Sequence, residues 1–280
     1  MASRLASAFV GVPIVIAALW AGAPWLSMLA AVLASLGAVE FYRMAEQRGA
    51  RPATVLGVAW ALVFVVSGHS EDYVEYQTTL VAVGGGALTL AWHLARRFVP
   101  GRAKDDIDEA PDSLGDTIAD WGNTAAGAIY TGWTLSLFLR LRAGEDGLEW
   151  VLLAVLATFA TDTGAFLVGR AIGRRRMAPR ISPGKTWEGA IGGWVAGVGA
   201  VVGLAALLDM PLTQPEAIVL GALIGVAAQV GDLVESILKR AAGVKDSGTL
   251  IPGHGGVLDR LDSVVFAVVV VYHFSVWTVG

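Results

Sequence analysis

The stretch Ser236 to Asp262, SILKRAAGVKDSGTLIPGHGGVLDRLD, holds Lys239, Arg240, Lys245, Asp246, His254, Asp259, Arg260 and Asp262 between two strongly apolar runs. Charges at such density are costly at a membrane boundary, so they imply work. Just upstream, GDLVESILKR sets Asp232, Ser236 and Arg240 at i, i+4 and i+8, one stripe of a helix, with Glu235 and Lys239 beside it. A chain re-entering through the PGHGG turn can bring Asp259 back toward Asp232. Two carboxylates from separate helices are hard oxygen ligands for Mg²⁺, with substrate phosphates completing the shell, the usual arrangement in phosphoryl and nucleotidyl transfer. The alternative for such a pair is salt bridging with Lys239 and Arg260. Gly253, Gly255 and Gly256 let a ligand approach the backbone without Cβ hindrance. His254, between them, could ligate a metal, act as a base or donate to a phosphate. A chain with no cysteine offers it no partners for a zinc–thiolate site.

Two further segments carry polar residues into apolar surroundings. Asp162, flanked by Thr161 and Thr163, lies about two turns from the end of a hydrophobic helix, where inserting an acid costs on the order of 2.5–3.5 kcal/mol at the centre. It has either a functional role or an internal salt bridge or hydrogen bond. The segment ISPGKTWEG, residues 181–189, tempts comparison with a P-loop, but Pro179 stands where the first glycine is required. Its physical content survives: Ser182 and Pro183 are expected to start a helix, whose free N–H groups and positive dipole end favour an anion. Lys185 and Thr186 would stand beside that anion. A capped helix with an interfacial lysine is the plainer alternative.

These groups are positioned by membrane helices. Of 280 residues 55% are hydrophobic and 16% charged, against roughly 25% charged in an ordinary soluble domain. Apolar runs of about 20 residues recur, each able to cross a hydrocarbon core of roughly 30 Å. Without the alternation of barrel strands they must be helices. The expected fold is all-α and polytopic, with about nine spans near 6–22, 25–42, 54–68, 78–99, 119–141, 148–169, 187–208, 215–238 and 263–279. The first run, after Arg4, is read as a span and not a secretory signal, because Pro24 opens a second run at once. The fifth span contains Asp120, Asn123, Thr124, Tyr130 and Thr131 and should face other helices or a wet cavity. All but two of the 20 Lys and Arg residues, Arg140 and Arg142, fall on one side of this topology, which puts the N-terminus and the loops 170–187 and 239–262 in the cytoplasm.

Residues 1–142 then form an N-terminal set of spans with an acidic cytoplasmic linker at 100–118, read as a solvated loop. Residues 143–280 form the catalytic region, with its polar site facing the cytoplasm. His69, His93 and His273 lie at span ends and read as interfacial; the ten tryptophans need only be interface and packing residues. The net charge of −4 decides little, and no nucleic-acid signature is visible.

Written out, Ser236–Asp262 follows S-x-apolar-K-R-x4-K-D-x-small-x2-apolar-P-x-H-G-G-apolar-x-D-R-apolar-D. That pattern resembles the signature of the phosphatidate cytidylyltransferases, or CDP-diacylglycerol synthases. Thr161–Arg170 similarly fits T-D-T/S-x-A-x-x-x-G-R, and Ser182–Gly189 fits S-P-x-K-T-x-E-G. The resemblance covers the C-terminal half; the amino-terminal spans carry no motif. It implies an integral membrane enzyme of the bacterial cytoplasmic (inner) membrane, a homodimer, making CDP-diacylglycerol and pyrophosphate from phosphatidate and CTP with Mg²⁺, and room for a second cation. By that implication Asp232 and Asp259 hold Mg²⁺, with Asp262, Asp162 and Asp246 as further candidates. Lys185, Lys239, Arg240, Lys245 and Arg260 balance phosphates. Ser182, Thr186, Ser236, Gly253, His254, Gly255 and Gly256 line the substrate, His254 through phosphate or cytosine. The chemistry is consistent with this set: a phosphomonoester is largely dianionic at neutral pH and attacks without a strong base, so no catalytic triad is needed.

Overall fold

A backbone in hydrocarbon must satisfy its N–H and C=O groups within its own segment, and every long apolar run of this chain is accordingly helical. The computed structural model describes residues 2–69, 74–98, 113–251, 253 and 255–279. In chain order the elements are α1 (Ala2–Ala21), α2 (Trp25–Glu46), α3 (Thr54–Ser67), α4 (Val74–Phe98), α5 (Leu114–Ala128), a single π-helical turn (Ile129–Trp133), α6 (Thr134–Ala143), α7 (Gly147–Ile172), β1 (Arg176–Ala178), β2 (Ser182–Thr186), α8 (Trp187–Leu207), α9 (Gln214–Ala241) and α10 (Leu258–Val279).

Six described helices are long and apolar enough to cross a membrane: Trp25–Glu46, Tyr76–Arg96, Gly147–Ile172, Trp187–Leu207, Gln214–Ala241 and Leu258–Thr278. The nine expected spans are therefore not reached. Gly11–Ala21 and Thr54–Ser67 are apolar but short, and the fifth expected span is interrupted by the π-turn between α5 and α6.

The chain divides into two compact units, Met1–Leu29 with Leu137–Gly280, and Ala30–Ser136. The division differs from a boundary at residue 142: α1 belongs with the C-terminal unit, where Arg142 Nε donates to the Leu19 carbonyl at 2.8 Å. In the smaller unit Trp60, Ala61, Phe64 and Ala128 form a core against Val81, Ala82, Ala125 and Trp133, and Trp60 Nε1 donates to the Val81 carbonyl at 2.9 Å. Thr124 and Thr131 of the polar fifth segment are buried here. Tyr42 donates to the Thr124 carbonyl at 2.8 Å, and His93 Nε2 lies 3.1 Å from Thr124 Oγ1. His93 is therefore a buried, hydrogen-bonded residue and not an interfacial one: Thr124 gives its ring a partner inside the helices. Most of the acidic linker, including Asp105, Asp106, Asp108, Glu109 and Asp112, lies outside the described residues. Its last acid, Asp116, is not a loop residue. It forms a capping box with Ser113, accepting the Ser113 N–H at 2.8 Å while Ser113 Oγ accepts the Asp116 N–H at 3.1 Å.

In the larger unit α7 packs along α8, α8 along α9, α9 along α10, and α10 returns to α7. Strand structure among the described residues is limited to the β1–β2 hairpin, with Arg176 opposite Thr186 and Ala178 opposite Ser182, and an isolated bridge between Ile251 and Gly255. Both lie at the ends of these four helices, beside the polar residues.

Candidate active site

Three carboxylates lie on α7, α9 and α10, helices that pack against one another. Asp162, Asp232 and Asp262 lie within range of one another's charge; Lys185 acts on all three, and Lys239 acts on Asp262 as well. Lys185 Nζ is 2.8 Å from Asp232 Oδ2, an ion-pair contact without hydrogen-bond geometry. The close approach of α9 to α10 is set at Gly231, where a Cβ would collide with the Asp262 backbone carbonyl. A glycine just before Asp232 thus brings that acid beside Asp262. Ser236, one turn on, points its Oγ at Asp232 Oδ1 across 3.4 Å.

Lys185 comes to this place on a strand. Ser182 and Pro183 do not start a helix; they belong to β2, and α8 begins only at Trp187. Pro179 explains the difference. It occupies the second position of the turn from Ala178 to Ile181, closed by the Ile181 N–H on the Ala178 carbonyl at 3.1 Å, and folds the segment into a hairpin. A two-stranded hairpin tolerates Pro183 at its edge. The helix starts where Thr186 supplies the cap, its Oγ1 accepting the Gly189 N–H at 3.1 Å. Glu188, in the first turn, accepts the Arg174 N–H at 3.0 Å and the Arg175 N–H at 3.2 Å, fixing the entry to the hairpin. The helix end expected to hold an anion is thus occupied by its own cap and an acid. Lys185 remains as the segment's cation, paired with Asp232, while Thr186 is a buried cap.

The connector after α9 is organised by Asp259. Its Oδ2 accepts from the Ser247 N–H at 2.8 Å, the Ser247 hydroxyl at 2.9 Å and the Gly256 N–H at 2.8 Å, while its Oδ1 meets Lys239 Nζ at 2.6 Å. Gly255 is needed for this: its φ is +84°, and a Cβ there would meet the Asp259 carboxylate. Lys239, only 13% exposed, is ion-paired at the same time with the fully buried Glu235 one turn earlier. Salt bridging of Asp259 with Lys239, one of the two alternatives open in the sequence, is what the structure contains. Arg240 is also committed: Nε donates to the Ile181 carbonyl at 3.1 Å and Nη1 to the Val244 carbonyl at 2.8 Å, tying hairpin to connector.

Lys245, Asp246, Gly253 and Arg260 are exposed. His254 lies outside the described residues, as does Pro252. Three residues with evident work were given no role from sequence: Glu235, Glu188 and Ser247. The signal for Glu235 was available, an acid four residues before a lysine on the inward face of an apolar helix.

Among the described residues no group of three or more Asp, Glu or His converges tightly enough to chelate a metal alone. The donor set nevertheless fits a hard divalent cation whose shell is completed by phosphate oxygens, since Asp162, Asp232 and Asp262 supply oxygen donors and negative charge. Asp259 fits such a role less well, because its oxygens already accept four donors.

Comparison with known proteins agrees with this picture. Residues 2–277 match the cytidylyltransferase family. The phosphatidate cytidylyltransferase of Synechocystis sp. is 34% identical over 306 aligned positions, 98% of this chain and 96% of that protein. The phosphatidate cytidylyltransferase of Brucella suis is 43% identical over 156 residues, 55% of this chain and 57% of its own length. That of Bacillus subtilis is 38% identical over 157 residues, with shares of 56% and 58%. Matched over nearly its whole length both by the family and by one full-length relative, the chain belongs to the cytidylyltransferase family.

Proposed function

We propose that this chain is a phosphatidate cytidylyltransferase, joining phosphatidate to the cytidylyl group of CTP to form CDP-diacylglycerol and pyrophosphate at the cytoplasmic face of a bacterial inner membrane. The observation that carries the reading is the group of Asp162, Asp232 and Asp262 with Lys185 paired to Asp232, formed by three helices and a hairpin in a family of cytidylyltransferases. The phosphatidate phosphomonoester, largely dianionic at neutral pH, attacks the α-phosphorus of CTP, and the bond to the leaving pyrophosphate breaks. Catalysis is then alignment and relief of charge. Lys185 is placed to leave Asp232 for an incoming phosphate oxygen. Asp232 and Asp262, with Asp162 nearby, would hold Mg²⁺, which supplies charge neutralisation and a template for the triphosphate. Asp259 and Lys239 serve differently in this reading: they hold the connector from Ser247 to Gly256 in shape.

The cytoplasmic placement rests on the one-sided distribution of Lys and Arg. Homodimer formation, a second cation and nine crossings stay part of the proposal on the strength of the family resemblance and the apolar pattern. The test is direct: the purified protein in detergent is given radiolabelled CTP, phosphatidate and Mg²⁺, and CDP-diacylglycerol and pyrophosphate are measured. Formation of both in equal amounts, dependent on all three additions, is expected. Turnover without phosphatidate, or without Mg²⁺, would overturn the corresponding part.

A further inference from the structure

Glu235 lies outside the three family patterns quoted above, immediately before Ser236. Its side chain is fully buried; Oε2 is ion-paired with Lys239, and the carboxyl group also interacts with that of Asp259. Lys239 simultaneously contacts Asp259 at 2.6 Å, so two acids share one ammonium inside the protein, and the two acids lie within range of each other's charge. Such an arrangement does not recommend itself for stability, because buried ion pairs commonly do no better than neutral groups of the same shape. Lys239 and Asp259 alone would form a neutral pair. Glu235 adds a second buried acid to a pair that already balances, and that calls for another reason to keep it.

The reason lies in what Lys239 would otherwise reach. Its ammonium is within range of the charge on Asp262, one of the three acids of the cluster. A lysine side chain is long and carries a point charge that can turn among acceptors. A second lysine beside Asp262 would cancel part of the negative charge that suits Asp162, Asp232 and Asp262 to a divalent cation. We propose that Glu235 is a positioning residue that anchors Lys239 on the Asp259 side and keeps its ammonium out of the Asp162–Asp232–Asp262 cluster, leaving that cluster negative for a divalent cation. The inference rests on the Mg²⁺ reading given above and extends it to a residue that touches neither metal nor substrate.

The test uses the full chain in detergent with two readouts, turnover and the rise in melting temperature on adding Mg²⁺. Glu235→Gln keeps size and one acceptor but lowers the buried charge. It is expected to melt no earlier than wild type without Mg²⁺, and to need about tenfold more Mg²⁺ both for half-maximal turnover and for half of the melting shift. Turnover at saturating Mg²⁺ should approach wild type. Glu235→Asp, which retains the charge, should fall between the two. In a Lys239→Met background no ammonium is left to stray, so adding Glu235→Gln should leave the Mg²⁺ midpoint of the melting shift where Lys239→Met alone puts it. A Glu235→Gln protein that loses stability while its Mg²⁺ midpoint stays put, or the same displacement of the midpoint with and without Lys239, would overturn the proposal. A wild type that shows no Mg²⁺ response would instead overturn the metal reading, and this inference with it.

Discussion

Asp259→Asn tests the assignment of Asp259 to the connector. The carboxylate receives three donors on Oδ2 and the Lys239 ammonium on Oδ1. An amide of the same shape has one oxygen and one NH₂ group, so whichever way it turns a donor faces donors. The less costly orientation keeps the oxygen toward Ser247 and Gly256 and sets the NH₂ against Lys239. One charge-assisted bond is then lost, about 1.5–3 kcal/mol, and the other three become weaker neutral bonds. Lys239 keeps Glu235 as a partner, which moderates the 3–5 kcal/mol typical of breaking a buried pair. A net cost of about 3 kcal/mol corresponds to roughly a hundredfold larger population of the opened connector. Hydrogen exchange, followed by mass spectrometry on peptides covering Ser247 and Gly256, should therefore accelerate about a hundredfold while the interiors of α7 and α8 keep their protection. Unchanged exchange at those two amides, together with collapsed Mg²⁺-dependent turnover, would refute the reasoning and return Asp259 to the metal.

Lys185→Met should weaken CTP use about tenfold to a hundredfold, the value of one charge-assisted phosphate contact, with little change in melting because Thr186 still caps α8; steady-state kinetics in CTP check this. Asp232→Asn and Asp262→Asn should each raise the Mg²⁺ requirement more than tenfold, and the double variant should be scarcely worse than either, since ligands of one ion act as a unit; Mg²⁺ titrations of all three decide it. Single cysteines at Glu145 and Arg175, exposed positions just beyond the two ends of α7, should label from opposite faces of sealed vesicles, with Arg175 on the cytoplasmic face. Labelling from one face would remove the transmembrane placement of α7.

Helicity, the polar end of the C-terminal helices and the stripe from Asp232 to Arg240 were legible in the sequence because they follow from apolar length and from the 3.6-residue period. Partnership was not. Asp232 and Asp259 have the same chemistry in the sequence, yet one faces a lysine in an open cluster and the other is enclosed by four donors. What separates them is the path of the connector, set by positive φ at Gly255 and a bridge from Ile251 to Gly255, which no periodicity encodes. Ser182–Pro183 misled for a similar reason: serine before proline reads as a helix start, but Pro179 had already turned the chain into a hairpin. Span counting finds less support where a helix is short, as in α3, or interrupted by a π-turn, as between α5 and α6, because composition measures apolarity and not continuity. His93 shows the limit in the smaller unit, since only packing reveals that Thr124 lies within reach of its ring.

Arg240 unites two segments that the sequence separates by dozens of residues. One guanidinium holds the carbonyl of Ile181 in the hairpin turn and that of Val244 in the connector. The segment that carries Lys185 and the segment shaped by Asp259 are thereby mechanically linked like two jaws on one pin. A pull on the hairpin is therefore felt at the connector through this one side chain.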